Sequence, residues 1–204
     1  MTAATKLADP LGAHPSETAR RAMIDSQLRV SGVNDPAVLA AMAAVAREDF
    51  VPEAARAAAY VDRAVSLGDG RALPAPLVHG RILTEAAITP DDTVLVIAAA
   101  GYLPALAAQF GCTVTALSPE DAVKAKRRSA PVSLILIDGA VEEIPANLVS
   151  LLSEGGRVVT GLAERGVTRL AAGTRVNGEL ALLPIADIGM PVLREFAKPK
   201  GWSF

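Results

Sequence analysis

The chain is poor in the residues that form disulfides, metal centres and aromatic clusters. Its 204 residues include one cysteine, two histidines and only 3% aromatic residues. The lone Cys112 excludes an internal disulfide and a multi-cysteine metal site, and this scarcity suits a reducing compartment. Its neighbours are apolar rather than cationic, so we interpret Cys112 as a small core residue and not as a reactive thiolate. With only two histidines besides, no metal site is expected.

A strong charge of one sign and long apolar runs are also missing. The 20 basic and 22 acidic residues leave a net charge of −2, which gives no attraction to a phosphate backbone. No segment approaches the ~18 consecutive apolar residues that cross a bilayer, and Met1–Ala13 lacks the apolar centre of a signal peptide. We therefore expect a cytoplasmic protein that binds neither nucleic acid nor membrane.

The apolar content that is present supports one large domain. Hydrophobic residues make up 51% of the chain, and no segment in its middle has the composition of a linker. Prolines and glycines near the start predict that residues 1–15 are a mobile lead-in, and residues 16–204 are predicted to form a single domain.

The first part of this domain, residues 16–92, is predicted to be mainly helical. A helix is expected from Ser16 to Gly32, and a second begins at Asp35, an N-cap followed by proline. A short helix over Glu53–Ala59 and another over Leu77–Ala87 flank the glycine- and proline-rich segment Leu67–Pro76, which predicts a shaped loop.

The second part, residues 93–204, alternates short apolar runs with helical segments. This pattern predicts an α/β fold with a doubly wound, mostly parallel sheet and an antiparallel edge at the C-terminus. The predicted parallel strands are Thr93–Ala98, Val114–Leu117, Leu134–Ile137 and Arg157–Thr160. The predicted crossover helices are Leu103–Phe110, Glu120–Arg128 and Ile144–Leu152. The predicted antiparallel strands are Leu170–Val176, Glu179–Ile185 and Val192–Phe196, with a turn at Asn177-Gly178.

Five segments, in order, carry a resemblance to a known family. They are Arg20–Pro52, Tyr60–Pro76 with its Gly68-Asp69-Gly70 turn, Thr93–Tyr102, Ala130–Ile144 and Leu151–Gly166. Together they resemble the protein-L-isoaspartate O-methyltransferases over roughly Ala19 to Met190. The resemblance implies a Rossmann-like methyltransferase fold, S-adenosylmethionine as cofactor and a substrate loop for isoaspartyl residues.

The first departure from the family lies after the first strand. The family has an acidic residue and a glycine-rich turn there, to neutralise the cofactor's ammonium group and to let the backbone approach it. This chain has Val96 in place of the acid, and Ala98 and Ala99 precede Gly101 in a turn that is one residue shorter.

The second departure follows the second strand, where the family places a carboxylate on the ribose hydroxyls of the cofactor. Ser118 stands at that position, and Glu120 is interpreted as part of a helix N-terminus rather than as a replacement ligand. Only Ser118–Val132 then connects to the next strand. That length holds one crossover helix, so the sheet is predicted to be one strand short, without the wall of the adenine pocket.

The third departure lies in the substrate loop. The family uses small hydroxyl residues to orient the isoaspartyl carboxylate, whereas this chain has Ala72 and Pro74 after Asp69. Neither Ala72 nor Pro74 carries a side-chain donor, and methyl transfer of this kind depends on positioning. No intact catalytic residue is therefore expected at Asp69, Ala72 or Pro74.

Two further residues, Asp138 and His79, each have two possible roles. Asp138, at the carboxyl end of a predicted strand, is either a ligand-contacting carboxylate or part of an ordinary turn. His79 is interpreted as a satisfied, partly buried histidine rather than a proton shuttle, because no partner carboxylate lies near it in the sequence.

These observations favour a catalytically degenerate family member that serves as a scaffold or regulatory binding protein, with no cofactor expected. The degenerate cofactor positions would be Ala98, Ala99, Gly101, Ser118, Glu120 and Asp138. The alternative is an active S-adenosylmethionine-dependent protein-L-isoaspartate O-methyltransferase in protein repair. A third possibility is a binder of a smaller ligand in the crevice near Ala98–Tyr102 and Asp138.

The missing strand also predicts self-association. An uncovered sheet edge exposes backbone hydrogen-bonding groups, which proteins normally pair or bury. A homodimer is expected, first at the shortened Ser118–Val132 connection and second at the tail that contains Trp202, alongside a possible protein partner.

Overall fold

The computed structural model describes residues 15–126 and 130–198 of the chain. Residues 1–14 of the predicted lead-in and the Trp202 tail lie outside these residues, whereas Pro15, also assigned to the lead-in, is the first residue of a helix. The first helix, α1, spans Pro15–Met23 and continues without interruption as a π-helical turn, Ile24–Leu28, and a 3₁₀ turn, Arg29–Ser31. It ends at Gly32, whose φ of +86° is a left-handed conformation that favours glycine, which confirms the predicted stop.

The second helix, α2, spans Pro36–Ala44 and is capped as predicted. The Asp35 carboxylate accepts hydrogen bonds from the backbone N–H groups of Ala37 at 2.8 Å and Val38 at 3.1 Å. Two 3₁₀ segments follow, Arg47–Phe50 and Glu53–Ala58. The predicted third helix is therefore present as a 3₁₀ helix.

The segment predicted to be a loop is a β-hairpin. Strands β1, Val65–Gly68, and β2, Arg71–Leu73, pair antiparallel and form a two-stranded sheet of their own. Its turn places Gly68, Asp69 and Gly70 at φ values of +94°, +51° and +75°. The prediction missed the strands because each is short and the turn residues dominate the composition. Helix α3, Pro76–Ala86, follows as predicted.

The remaining strands are β3 Thr93–Ile97, β4 Thr113–Leu117, β5 Val132–Val141, β6 Leu152–Glu164, β7 Val167–Val176, β8 Glu179–Leu180 and β9 Leu183–Asp187. They form one seven-stranded mixed sheet in the order β4-β3-β5-β6-β7-β8, with β9 also pairing with β7. β3, β4, β5 and β6 are parallel, and the later strands are antiparallel, as the sequence predicts. The α-helices between these strands are α4 Tyr102–Ala108, α5 Pro119–Val123 and α6 Ala146–Val149.

Two crossover helices are shorter than predicted. α5 ends at Val123, with Lys124 as its C-cap residue. α6 begins only after Pro145 and ends before Ser150, and Leu152 already belongs to β6. The connection from Leu117 to Val132 holds α5 and, among its described residues, no strand. β4 is thus an edge strand of the sheet.

The predicted antiparallel strand Val192–Phe196 is wrong. Arg194–Phe196 is a 3₁₀ turn, and Val192 forms one isolated parallel bridge with Ala140 of β5. The pairing of β3 with β5 ends at Ile97 and Ile137, whereas β5 continues to Val141. Ala140 therefore has a free side, and it bonds there to Pro191 and Leu193, each at 2.8 Å. Residues 191–193 lie beyond the carboxyl end of β3.

Both faces of the sheet are covered by apolar packing. One cluster joins the N-terminal helices and α3 to one face, and a second joins α5 and α6 to the other. Within the described residues, no helix combines the length and apolar character needed to span a membrane.

Candidate functional site

The crevice in which the sequence predicts a ligand lies at the carboxyl ends of β3, β4 and β5. These strands are parallel and adjacent, so the residues that follow them meet at one edge of the sheet. The chain runs outward from β3 to β4 and then returns past β3 to β5. The carboxyl end of β3 is therefore the point where the strand order reverses and where ligands bind in open α/β sheets.

The turn after β3 is apolar and closely packed. Val96, at the position of the family's acid, is completely buried. A side chain carbon on Gly101 would lie 3.2 Å from the ring of Phe50, which also packs against the Tyr102 ring with 5.5 Å between centroids. Phe50 thus occupies the space in front of the only glycine of the turn.

The residues after β4 form the capped start of α5. The Ser118 hydroxyl accepts a hydrogen bond from the Asp121 N–H at 3.1 Å and donates one to the Asp121 carboxylate at 2.8 Å. The hydroxyl is therefore committed to the cap. Glu120 lies in the first turn, as predicted, and its carboxylate forms an ion pair that closes the crevice.

The partner of Glu120 is Arg71, on β2 of the hairpin. The same guanidinium nitrogen lies 3.6 Å from the carboxylate of Glu195, which follows the Pro191–Leu193 segment. The Glu195 side chain is 12% exposed and that of Arg71 is 27% exposed. Three elements from distant parts of the chain thus meet over the carboxyl end of β3.

The space left beneath this ion pair is small. It measures about 90 Å³ and is lined by Gly70, Arg71, Ala72, Ala99 and residues 191–195. Small-molecule sites usually have volumes of roughly 300–1,000 Å³. Ala72 and Ala99, both predicted degenerate positions, contribute methyl groups to this wall.

The other residues of the predicted substrate loop do not face the cavity. Asp69 is exposed at the tip of the hairpin. Pro74 is buried, and its carbonyl oxygen accepts a hydrogen bond from the Arg47 guanidinium at 2.5 Å. The loop therefore supports the core at Pro74 and closes the crevice through Arg71.

A buried polar cluster lies next to the crevice. His79 Nε2 is 2.9 Å from Asp138 Oδ1, and both side chains are almost fully buried. The geometry between these two atoms is not that of a well-formed hydrogen bond, so the pair is a close contact between two buried polar atoms. Asp138 is not part of a strand-ending turn, because β5 continues past it to Val141. Its partner His79 is 59 residues away in the sequence.

Arg47 completes this cluster. Its guanidinium is fully buried and donates to the carbonyl oxygen of Ala59 at 2.6 Å and towards His79 Nδ1 at 3.2 Å. A guanidinium only donates, so Nδ1 accepts and Nε2, the nitrogen near Asp138, carries an imidazole proton. His79 thus lies between the Arg47 guanidinium and the Asp138 carboxylate and contacts both.

Aromatic contacts surround the cluster. The Arg47 guanidinium lies 5.1 Å from the Tyr102 ring centre, and the His79 ring meets that ring edge-on at 5.0 Å. Burial lowers the pKa of Arg47, although nearby negative groups oppose this effect, and burial raises the pKa of Tyr102. The prediction that His79 is only partly buried was wrong, since the side chain is fully enclosed.

Arg47 was not predicted from the sequence. An arginine between alanine and glutamate has no local feature that distinguishes it from a solvated residue. The one available signal was His79, a polar residue in an apolar helix, because a buried imidazole needs partners.

Other groups in the molecule do not extend this site. Burial raises the pKa of the Cys112 thiol, whose sulphur lies 3.3 Å from the carbonyl oxygen of Ala107. Across residues 15–126 and 130–198, no group of three or more His, Cys, Asp or Glu side chains could hold a metal ion. An open depression of about 810 Å³ at the β6–β7 turn touches the crevice wall only at Val192.

The sheet, its N-terminal helices and the hairpin over the carboxyl end of β3 define a Rossmann-like protein of the methyltransferase class. The sequence model of the protein-L-isoaspartate(D-aspartate) O-methyltransferases matches residues 18–124. The chain belongs to this family.

Several proteins named as protein-L-isoaspartate O-methyltransferases are similar to this chain in sequence. A protein-L-isoaspartate O-methyltransferase 2 from Anaeromyxobacter sp. is 32% identical, with 87% of each chain covered. A protein-L-isoaspartate O-methyltransferase from Koribacter versatilis is 33% identical over 82% of this chain and 87% of its own. A third, from Methanoculleus marisnigri, is 27% identical over 94% of this chain and 97% of its own.

Solved structures share the fold. One is a Plasmodium falciparum protein described as a protein-L-isoaspartate O-methyltransferase in complex with S-adenosyl-L-homocysteine. It superposes with a TM-score of 0.70 at 18% identity, over 90% of this chain and all of its own. Another protein-L-isoaspartate O-methyltransferase gives a TM-score of 0.71 at 15% identity, over 89% of this chain and 67% of its own.

Proposed function

We propose that this chain is a non-catalytic member of the protein-L-isoaspartate O-methyltransferase family that acts by binding another protein. The observation that carries the proposal is the closed crevice. The Arg71 guanidinium pairs with Glu120 across the carboxyl ends of the strands and leaves a cavity of about 90 Å³. A nucleoside and an isoaspartyl residue require a much larger volume.

The residues around the crevice support this proposal because they do not fit S-adenosylmethionine. Val96 gives the cofactor's ammonium group no carboxylate, and Phe50 blocks approach to Gly101. The Ser118 hydroxyl is held by Asp121, and the Glu120 carboxylate is held by Arg71. The groups that would bind the amino-acid and ribose parts are thus absent or already paired.

Binding of the cofactor tests the proposal directly. We expect no heat of binding when S-adenosylmethionine or S-adenosylhomocysteine is titrated into the protein by calorimetry at physiological concentrations. The Koribacter versatilis relative, measured under the same conditions, is the positive control. One-to-one binding with a Kd in the low micromolar range would overturn the proposal.

An active methyltransferase remains the second candidate function. The observation that favours it is the family likeness itself, which extends over most of the chain at up to 33% identity. Transfer of a labelled methyl group to an isoaspartyl peptide tests this candidate. Turnover that disappears on denaturation would place the chain among the enzymes of protein repair, with S-adenosylmethionine as cofactor.

The proposed binding role includes association of the chain with itself. β4 lies at one edge of the sheet, and no strand of the described residues pairs with its outer side. An unpaired edge presents backbone N–H and C=O groups to any partner that can add a strand. A two-fold homodimer is the simplest assembly that pairs this edge.

A further inference from the structure

We propose that the β1–β2 hairpin is a strap that is locked over the crevice by Arg71 and opens when this ion pair is released. The hairpin pairs only with itself, in a two-stranded sheet separate from the main sheet. Its position over the crevice must therefore be maintained by side chains. This inference holds whether or not the chain transfers methyl groups.

The two ends of the hairpin are held differently. At its base, Val65 and Leu73 are buried in the main apolar core. At its tip, Gly68, Asp69 and Gly70 are exposed. A buried base and a solvated tip are the arrangement of a segment that can hinge.

Arg71 is the link between the tip and the sheet domain. Among the described residues, its contacts with Glu120 and Glu195 are the only ion pairs of the hairpin, and no hydrogen bond joins residues 65–73 to the main sheet. Glu120 belongs to α5, and Glu195 follows the segment bonded to β5. The guanidinium thus fastens the hairpin to both walls of the crevice.

The strength of this lock depends on the conditions. The side chains of Arg71, Glu120 and Glu195 are 27%, 38% and 12% exposed, so solvent and salt reach the pair. Partly exposed ion pairs are weak and are screened by ionic strength. A closed strap with a weak lock opens at a measurable rate, and Ala99 on the cavity wall, which is half-buried when the strap is closed, then becomes more accessible.

Thiol labelling measures this opening. In a Cys112→Ala background, Ala99→Cys places one thiol on the cavity wall, and its rate of reaction with a maleimide is followed by mass spectrometry. We expect Arg71→Ala and Glu120→Gln each to accelerate labelling about fivefold, and 1 M salt to act similarly on the chain with Arg71 intact. Arg169→Ala removes the two ion pairs that Arg169 of β7 forms with Glu164 and Asp187, and it should leave the rate unchanged.

Amide hydrogen exchange on the chain without engineered cysteines gives an independent readout. Residues 65–73 should exchange faster in Arg71→Ala than in the unsubstituted chain, while β3 and β5 keep their protection. Equal labelling rates and equal exchange in all variants would overturn the proposal. A uniform increase over the whole sheet would also overturn it, since Arg71 would then stabilise the fold and not the strap.

Discussion

At the scale of single residues, the core contains a buried positive charge, that of Arg47, whose negative counter-charge does not contact it directly. Arg47 is fully buried and contacts no carboxylate directly, and His79 connects it to Asp138. A buried charge without a counter-charge is strongly destabilising. The Arg47, His79 and Asp138 side chains therefore form one unit, and removing any single member affects the other two.

Asp138→Asn tests this unit. The amide keeps the volume but removes the negative charge, so we expect the free energy of unfolding to fall by about 3 kcal/mol. Urea denaturation measures the change. The matched control, Asp187→Asn, removes a carboxylate that is 84% exposed and should cost less than about 0.5 kcal/mol. Equal effects of the two substitutions would show that Asp138 does not balance Arg47.

A second buried carboxylate makes stability depend on pH. Asp92 accepts hydrogen bonds from Arg157 at 2.8 and 3.0 Å and from Ser133 at 2.6 Å, and the Arg157 bonds are the main reason that its pKa is depressed. A carboxyl group whose pKa is lower in the folded state stabilises the protein above its unfolded pKa. This stabilisation is lost as the pH falls towards the folded pKa.

We therefore expect the unsubstituted chain to lose stability as the pH is lowered from about 5 to 2. Asp92→Asn should be less stable at pH 7 and should vary less over that window. Urea unfolding at several pH values measures both quantities. If the free energy of unfolding varied with pH in the same way for both proteins, groups other than Asp92 would control the loss of stability in acid.

Residue-level prediction from the sequence succeeded where the cause was local. Asp35 caps α2 because a short polar side chain reaches the N–H groups of its own next turn, and Glu120 lies in the first turn of α5 as predicted. The partners of His79, Arg71 and Asp138 are distant in the sequence, so no local pattern could identify them.

At the scale of elements, the path of residues 191–193 depends on one close approach. A side chain carbon on Gly139 would lie 2.8 Å from Leu193 Cγ and 3.0 Å from the Pro191 carbonyl oxygen. This segment bonds to Ala140 and forms one wall of the crevice. Only a glycine at position 139 lets β5 and the segment lie this close together.

Gly139→Ala should therefore displace the segment and lower the free energy of unfolding by about 1–3 kcal/mol. Gly189→Ala is the control, because nothing lies within 4 Å of the added carbon. Hydrogen exchange should show faster exchange at residues 192–195 in the first variant only. Unchanged protection there would refute the close packing of Gly139 against Leu193.

The elements that the sequence predicted correctly are those with a clear pattern of apolar residues or a clear helix-capping residue. Three of the four parallel strands, β3, β5 and the middle of β6, are buried apolar runs, and burial on both faces makes such runs distinctive. The edge strand β4 is exposed or half-buried along its whole length. Val192–Phe196 has the same composition as a strand but bonds only to the end of β5. Its conformation is fixed by the register of β5 with β3, which the segment itself does not encode.

At the scale of the whole molecule, the two edges of the sheet differ in how they are protected. β9 contains Pro184, which lacks an N–H group, and the charged Asp187. β4, with the sequence Thr-Val-Thr-Ala-Leu, contains neither proline nor charge. Edges without such features readily accept another strand. The order and spacing of the apolar runs in the sequence predicted the fold class and the short connection after β4. Which strands lie at the edges of the sheet, and how each edge is protected, could be seen only from the strand order in the structure.

The outer side of β4 presents the backbone groups of Val114 and Ala116. Thr113 N–H and the Leu117 carbonyl oxygen bond towards β3, and successive residues of a strand alternate in direction. A two-fold axis through Thr115 would pair Val114 of one copy with Ala116 of the other, so that each pair exchanges two hydrogen bonds. β4 is therefore geometrically suited to antiparallel pairing with a second copy of itself.

We expect a homodimer of about twice the 21.0 kDa chain mass that persists through a tenfold dilution, because such interfaces bury at least roughly 1,000 Å². Light scattering coupled to size exclusion measures the mass.

Ala116→Pro removes an outward N–H without touching the bonds to β3, and Ala116→Lys adds charge to the edge, so both should shift the protein towards monomer. Ala108→Lys, at an exposed position of α4, should not. A 21.0 kDa species at every concentration would refute self-association, and a dimer that is unaffected by both Ala116 variants would exclude β4 as its interface.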